Sequence, residues 1–139
     1  MDNSPEFLNM CMKAEEIQKT WEPRDSDFYI AMKKSRRLRP VKISILNDWE
    51  TRNHIIEHRD LFIWIPRLDQ LQEIVDWKNW ECRIRKKDKL EMHYISISGK
   101  QNSGIVTGKS MEQLWIAFVM KEKYEKVWDS KKEEWISAS

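Results

Sequence analysis

The segment that most constrains the fold runs from Ser110 to Tyr124. Ser110 followed by Gln113 has capping-box spacing, in which a Ser hydroxyl and a Gln side chain satisfy free amides at a helix start. Beyond it, Met111, Leu114, Trp115, Phe118 and Val119 fall on one side of a helix, and Ala117, Met120 and Tyr124 on the other. A helix that is apolar on both sides must be surrounded, so the remaining chain has to provide a sheet or other helices to cover it. The apolar run itself, Leu114 to Met120, is far short of the run of about 20 needed to cross a bilayer.

Composition agrees with that demand. A chain of 139 residues, 40% hydrophobic and 35% charged, has one domain's length, enough to bury roughly two-thirds of its unfolded surface without disulfides or metals. Eight Trp, four Phe and three Tyr are too many for a disordered chain. Cys11 and Cys82 stand alone, which fits neither a disulfide framework nor a Cys-pair zinc site, so both are expected as reduced thiols. Met1 to Cys11 carries Asp2 and Glu6 without a basic start or an apolar stretch, unlike a signal peptide, and the expected location is the cytoplasm.

Residues 1–12 include Ser4-Pro5-Glu6-Phe7, which looks like the linker left by a common fusion vector, and are expected to be an N-terminal extension. Lys13 to Lys19 consists of good helix formers, and Pro23 ends that brief helix. Phe28, Ile30 and Met32 alternate as in a strand, and Val41, Ile43 and Ile45 mark a second over Val41 to Leu46. Residues 47–60 read as polar and irregular. Leu61 to Ile65 is apolar on both faces before Pro66, the pattern of a central strand. Leu68 to Trp77 has helical spacing, and Trp80–Lys87 with Leu90–Ser98 reads as a hairpin across Asp88-Lys89. Gly99 to Lys109, holding all three Gly, reads as a loop. Asp129 to Glu134 is solvated, and Trp135-Ile136 either docks as a short strand or frays.

Few motifs carry catalytic chemistry. His54-Ile55-Ile56-Glu57-His58 matches the His-x-x-Glu-His spacing of inverted zinc metalloproteases, which works only on a helix. In an irregular or extended segment the two imidazoles would stand about 13 Å apart, so no metal is expected. A Cys82–His93 nucleophile pair across the hairpin is weighed against core packing for Cys82, and packing is favoured. No Gly-rich phosphate motif exists, no cofactor is expected and the chain reads as non-enzymatic.

Charge is the more informative signal. Lys33, Lys34, Arg36, Arg37, Arg39 and Lys42 form one basic segment, and Arg83, Arg85, Lys86, Lys87 and Lys89 form a second around a single Asp. If both lay in neighbouring hairpins of one sheet, they would make a basic rim with Trp and Tyr nearby, suited to phosphates and bases. An acidic protein surface fits them equally, and solvated edge strands are the plain alternative. Of the eight Trp, positions 64 and 115 are expected in the core, and 21, 49 and 135 nearest the surface.

Three stretches carry a family resemblance. They are Lys13-Ala14-Glu15-Glu16-Ile17 with Trp21-Glu22-Pro23-Arg24, then Trp64-Ile65-Pro66-Arg67-Leu68-Asp69-Gln70-Leu71-Gln72-Glu73, and Ser110 to Trp115 continuing through Met120 to Tyr124 and Val127-Trp128-Asp129. In order and spacing they resemble a family of small, uncharacterised proteins encoded by phages and prophages of Firmicutes. The resemblance implies a start near Met12, a strand ending in Pro before a helix, a buried C-terminal helix and no catalytic residues. It does not reach either basic segment.

Together these readings predict an α+β fold, with a single domain over residues 13–130 and a C-terminal tail over 131–139. One mostly antiparallel sheet of four or five strands would be packed by about three helices. The expected function is non-enzymatic binding of a host or phage protein, and the alternative is nucleic-acid binding through two basic hairpins. No membrane association is expected.

Overall fold

The structure, a computed structural model, describes residues 1–32, 42–97 and 102–138. The chain is α+β and divides into two compact units, residues 3–67 and residues 68–139 together with Met1 and Asp2. The single sheet of four or five strands is not what forms. The described strands make two three-stranded sheets and one two-stranded ribbon.

The first unit begins with helix α1, Pro5–Lys13. Ser4 caps it by accepting from the Phe7 amide, Pro5 supplies a preset first turn, and Glu6 and Lys13 suit the two ends of the helix dipole. Phe7 and Cys11 are fully buried, so the stretch expected to lie ahead of the domain supplies core to this unit. Helix α2 is the short Glu15–Gln18. Strands β1 (Phe28–Ala31), β2 (Ser44–Ile45) and β3 (Phe62–Ile65) form an antiparallel sheet in the order β2-β1-β3. Phe28 stands between Ile45 and Ile65.

Among the described strands, the apolar strand before Pro66 is thus an edge strand, not the central one. Its outer edge is covered by a side chain in place of a fourth strand. The Gln18 amide accepts from the Trp64 N–H at 2.8 Å and donates to the Trp64 carbonyl at 2.9 Å, imitating a neighbouring strand. Trp21, expected near the surface, is buried and stacked on Trp64 with ring centroids 6.1 Å apart. What permits its burial is an acceptor for its indole N–H, the carboxylate of buried Asp27 at 2.9 Å. Asp27 also accepts from the Arg24 amide, and Arg67 lies 3.4 Å away.

Residues 47–60 are not irregular. Helix α3 spans Trp49–Glu57, started by Asp48, whose carboxylate accepts from the Thr51 amide at 2.7 Å. Only Ile55 of this helix is buried, so its apolar stripe is too narrow to show as a helical period.

The second unit holds α4 (Leu68–Ile74), a 3-10 turn at Trp77–Asn79, β4 (Trp80–Lys86), β5 (Leu90–Ser96), β6 (Ser103–Gly108), α5 (Met111–Tyr124), β7 (Lys126–Asp129) and β8 (Glu134–Ser137). Strands β4-β5-β6 form an antiparallel sheet in sequence order, and β7 pairs with β8. Helix α5 starts as the sequence implies. The Ser110 hydroxyl accepts from the Gln113 backbone amide, the Gln113 side-chain Oε1 accepts from the Lys109 backbone amide, and Asp2 completes the cap by accepting from the Ser110 hydroxyl. Every residue from Leu114 to Met120 is buried.

Against α5 lie Met92, Tyr94 and Val106 from the inner face of the sheet, all buried. Trp80, Tyr94 and Phe118 form an aromatic cluster with centroids 4.5 to 5.6 Å apart. The stretch expected as a glycine loop contains β6, in which Gly104 and Gly108 take inward positions. A Cβ at Gly104 would lie 2.3 Å from the Tyr94 hydroxyl oxygen, and one at Gly108 would lie 2.6 Å from the Leu114 amide nitrogen. Both glycines are there to let neighbours approach. At the C-terminus Trp135 docks on Trp128, with centroids 5.1 Å apart, as the short strand β8.

Candidate binding surface on the β4–β5 hairpin

Strand alternation places the hairpin cations. Arg83 stands opposite His93 and Arg85 opposite Glu91, while Cys82 stands opposite Tyr94 and Ile84 opposite Met92. Residues directly opposite share a face. Met92 and Tyr94 are buried, so Arg83 and Arg85 belong to the outer face with Glu91 and His93. Lys86 ends the strand, and Lys87 and Lys89 flank the turn. All five cations are exposed.

Two carboxylates temper this surface, exposed Glu81 two residues before Arg83 and Glu91 opposite Arg85. Glu91 accepts from the His93 Nε2 at 2.6 Å and has the Lys87 ammonium at 3.9 Å. That hydrogen bond, with the charges of Lys87, His93 and Arg85, holds its carboxyl below the usual carboxylate range. Among the described residues no ion pair engages Arg83, Lys86 or Lys89. The rest of the outer face mixes exposed Ile95 and Ile105 with polar Ser103 and Thr107.

The hairpin also has an open side. Ile97 donates to the Asn79 carbonyl and Lys87 to the Lys89 carbonyl, which sets the ladder bonds of this strand at odd positions. The backbone N–H and C=O groups of Cys82, Ile84 and Lys86 therefore point away from β5. No strand pairs with that side among the described residues.

The first basic segment falls mostly outside the described residues. Lys33, Lys34, Arg36, Arg37 and Arg39 lie outside the described residues, and Lys42 is exposed just before β2. The described strands on either side of this segment, β1 and β2, belong to the β2-β1-β3 sheet, and the β4–β5 hairpin belongs to the other three-stranded sheet. Aromatics do not accompany the hairpin cations on their face. Trp80 and Tyr94 turn inward to Phe118. Sequence reading missed Glu91, His93, Ile95 and Ile105 as members of the face. Their period of two along β5 and β6 was the available signal, hidden in β6 by its glycines.

The other motifs are placed as follows. His54 lies on α3 and His58 caps its end, and their ring centroids are 4.7 Å apart, in place of the extended separation expected. Among the described residues no third His, Cys, Asp or Glu joins them as a metal-binding group. Cys82 and His93 sit on opposite faces of the sheet and form no nucleophile–base pair. Burial pushes the Cys82 thiol pKa up, which lowers its reactive thiolate fraction. No described helix is long and apolar enough to cross a membrane. The chain matches no protein-family model, and neither a curated protein nor a solved structure matches it significantly.

Proposed function

We propose that this chain is a non-enzymatic, phage- or prophage-encoded binding protein that acts in the bacterial host cytoplasm and engages an anionic protein partner through the β4–β5 hairpin. The observation that carries the reading is the exposure of Arg83, Arg85, Lys86, Lys87 and Lys89 on one hairpin, where they outnumber Glu81, Asp88 and Glu91 and the last of these is drawn into hydrogen bonding by His93. Exposed cations clustered on one hairpin steer the approach of a carboxylate-bearing partner. The phage origin rests on the resemblance of the three sequence blocks.

Nucleic acid is the second reading, favoured by Arg83 and Arg85 side by side on one face, where they are spaced to meet successive phosphates. A protein partner is preferred because the chain's net charge is only +2 and the outer face offers aliphatic groups where a nucleic-acid platform would offer aromatic ones. Affinity capture from host lysate decides between them when run with the wild-type chain and with Arg83→Glu, Lys86→Glu, Lys89→Glu combined. An acidic protein retained by the first and lost by the second is the expected result. Equal capture by both would sink the reading, and a salt-sensitive shift of DNA or RNA lost in the variant would replace it by the alternative.

A further inference from the structure

Resting on that reading, we propose that the free edge of β4 takes an extended acidic segment of the partner protein as an added strand. Cys82, Ile84 and Lys86 each offer one N–H donor and one C=O acceptor on the side away from β5, at the regular two-residue spacing of a ladder. An added strand matches both kinds of group at every second residue. A phosphate backbone, which only accepts, would leave the carbonyls unmatched.

The side chains specify what such a strand must carry. On the outer face, Arg83 and Arg85 stand two residues apart, and cross-strand neighbours approach to about 5 Å between Cβ atoms. Asp or Glu at two alternate positions of the incoming segment would meet them. On the other face, Ile84 is 40% exposed at the sheet margin beside half-buried Cys82. Apolar residues at the intervening positions would cover them. The recognised pattern is therefore acidic and apolar in alternation.

A second copy of this chain is the competing occupant. An antiparallel pairing of β4 with itself centred on Ile84 sets Arg83 against Arg85 in both directions, whereas centring on Cys82 sets Glu81 against Arg83. Like charges directly opposite are destabilising and opposite charges favourable, so only the first register is barred by charge. A dimer in sedimentation that excess acidic peptide does not dissociate would overturn the acidic segment as the occupant.

The test uses a short fluorescein-labelled peptide alternating Glu and Val, read by anisotropy against the full chain. Micromolar binding is expected, weakened by about tenfold or more in Arg83→Glu/Arg85→Glu. Ile84→Pro should weaken it as strongly while leaving the circular dichroism spectrum unchanged, because that N–H takes no part in the ladder to β5. The same peptide N-methylated at alternate residues should bind the wild-type chain about tenfold more weakly, which keeps the test sound if Ile84→Pro does not fold. Equal binding of the methylated peptide overturns strand addition and leaves the hairpin as a charge-only surface. Unchanged binding by the Arg83→Glu/Arg85→Glu chain overturns the functional reading itself. An oligo-dT strand that binds more tightly than the peptide, and equally to Ile84→Pro, overturns strand addition in favour of nucleic acid.

Discussion

At Gly104 the absence of a side chain is what admits Tyr94 beneath β6, since a Cβ there would stand 2.3 Å from the hydroxyl oxygen and 2.7 Å from the adjoining ring carbon. Gly104→Ala is expected to destabilise the chain by about 1–3 kcal/mol, the usual cost of overpacking a close-packed site. Adding Tyr94→Phe should return part of that loss by removing the nearer atom. Urea denaturation of the two single variants and the double variant checks both statements. Gln18 is a second single-residue device. Its amide bonds both backbone groups of Trp64 and donates to the Cys11 carbonyl, so Gln18→Ala leaves the edge of β3 unsatisfied. A loss of about 1–3 kcal/mol in the same measurement is expected. Neither role was legible from sequence. Glycine signals a loop when read alone, and a Gln beside a strand edge looks like any other polar helix residue.

Among the elements, α5 and the β4–β5 hairpin were legible because their signals are local. The Ser110 cap and the helical apolar run act within a few residues, and so does the alternation around Asp88-Lys89. Ser110→Ala should therefore cost about 1 kcal/mol, measured by thermal unfolding. The α3 helix and β6 were missed for opposite reasons, a stripe of one buried residue in the first and inward glycines in the second. Within the hairpin, Glu91 predicts a pH dependence. Its carboxyl pKa is lower in the folded chain than its ordinary 4.5. A group lowered on folding contributes stability above its ordinary pKa and loses that contribution as pH falls through the folded value. Stability should thus decline from about pH 5 downward, and Glu91→Gln should flatten that decline. Melting temperatures of the two chains across that range would show it. A decline of equal steepness in both would put its cause elsewhere.

For the whole molecule, charge partition matters more than its sum. The net charge of +2 combines +6 over Lys33 to Lys42, +4 over Arg83 to Lys89 and −8 elsewhere. A near-neutral total gives little global steering, so association should depend on a local field that salt screens over about 8 Å at physiological ionic strength. Raising NaCl from about 50 to about 300 mM should weaken capture of the acidic peptide by about tenfold or more, while leaving the melting temperature nearly unchanged. The candidate hairpin was visible in the sequence as a run of cations. Its partition into an outer face and an open edge was not. By itself the sequence determined the elements whose signals lie within one turn or one strand, and it determined the total and the clustering of charge. Tertiary structure alone decided which strands share a sheet, that β3 lies at an edge, that two glycines sit inside β6, and which face Arg83 and Arg85 occupy. The physical reason is range. Caps, turns and periodicities are settled by residues a few positions apart, whereas faces and edges exist only once distant strands have paired and a helix has covered one side.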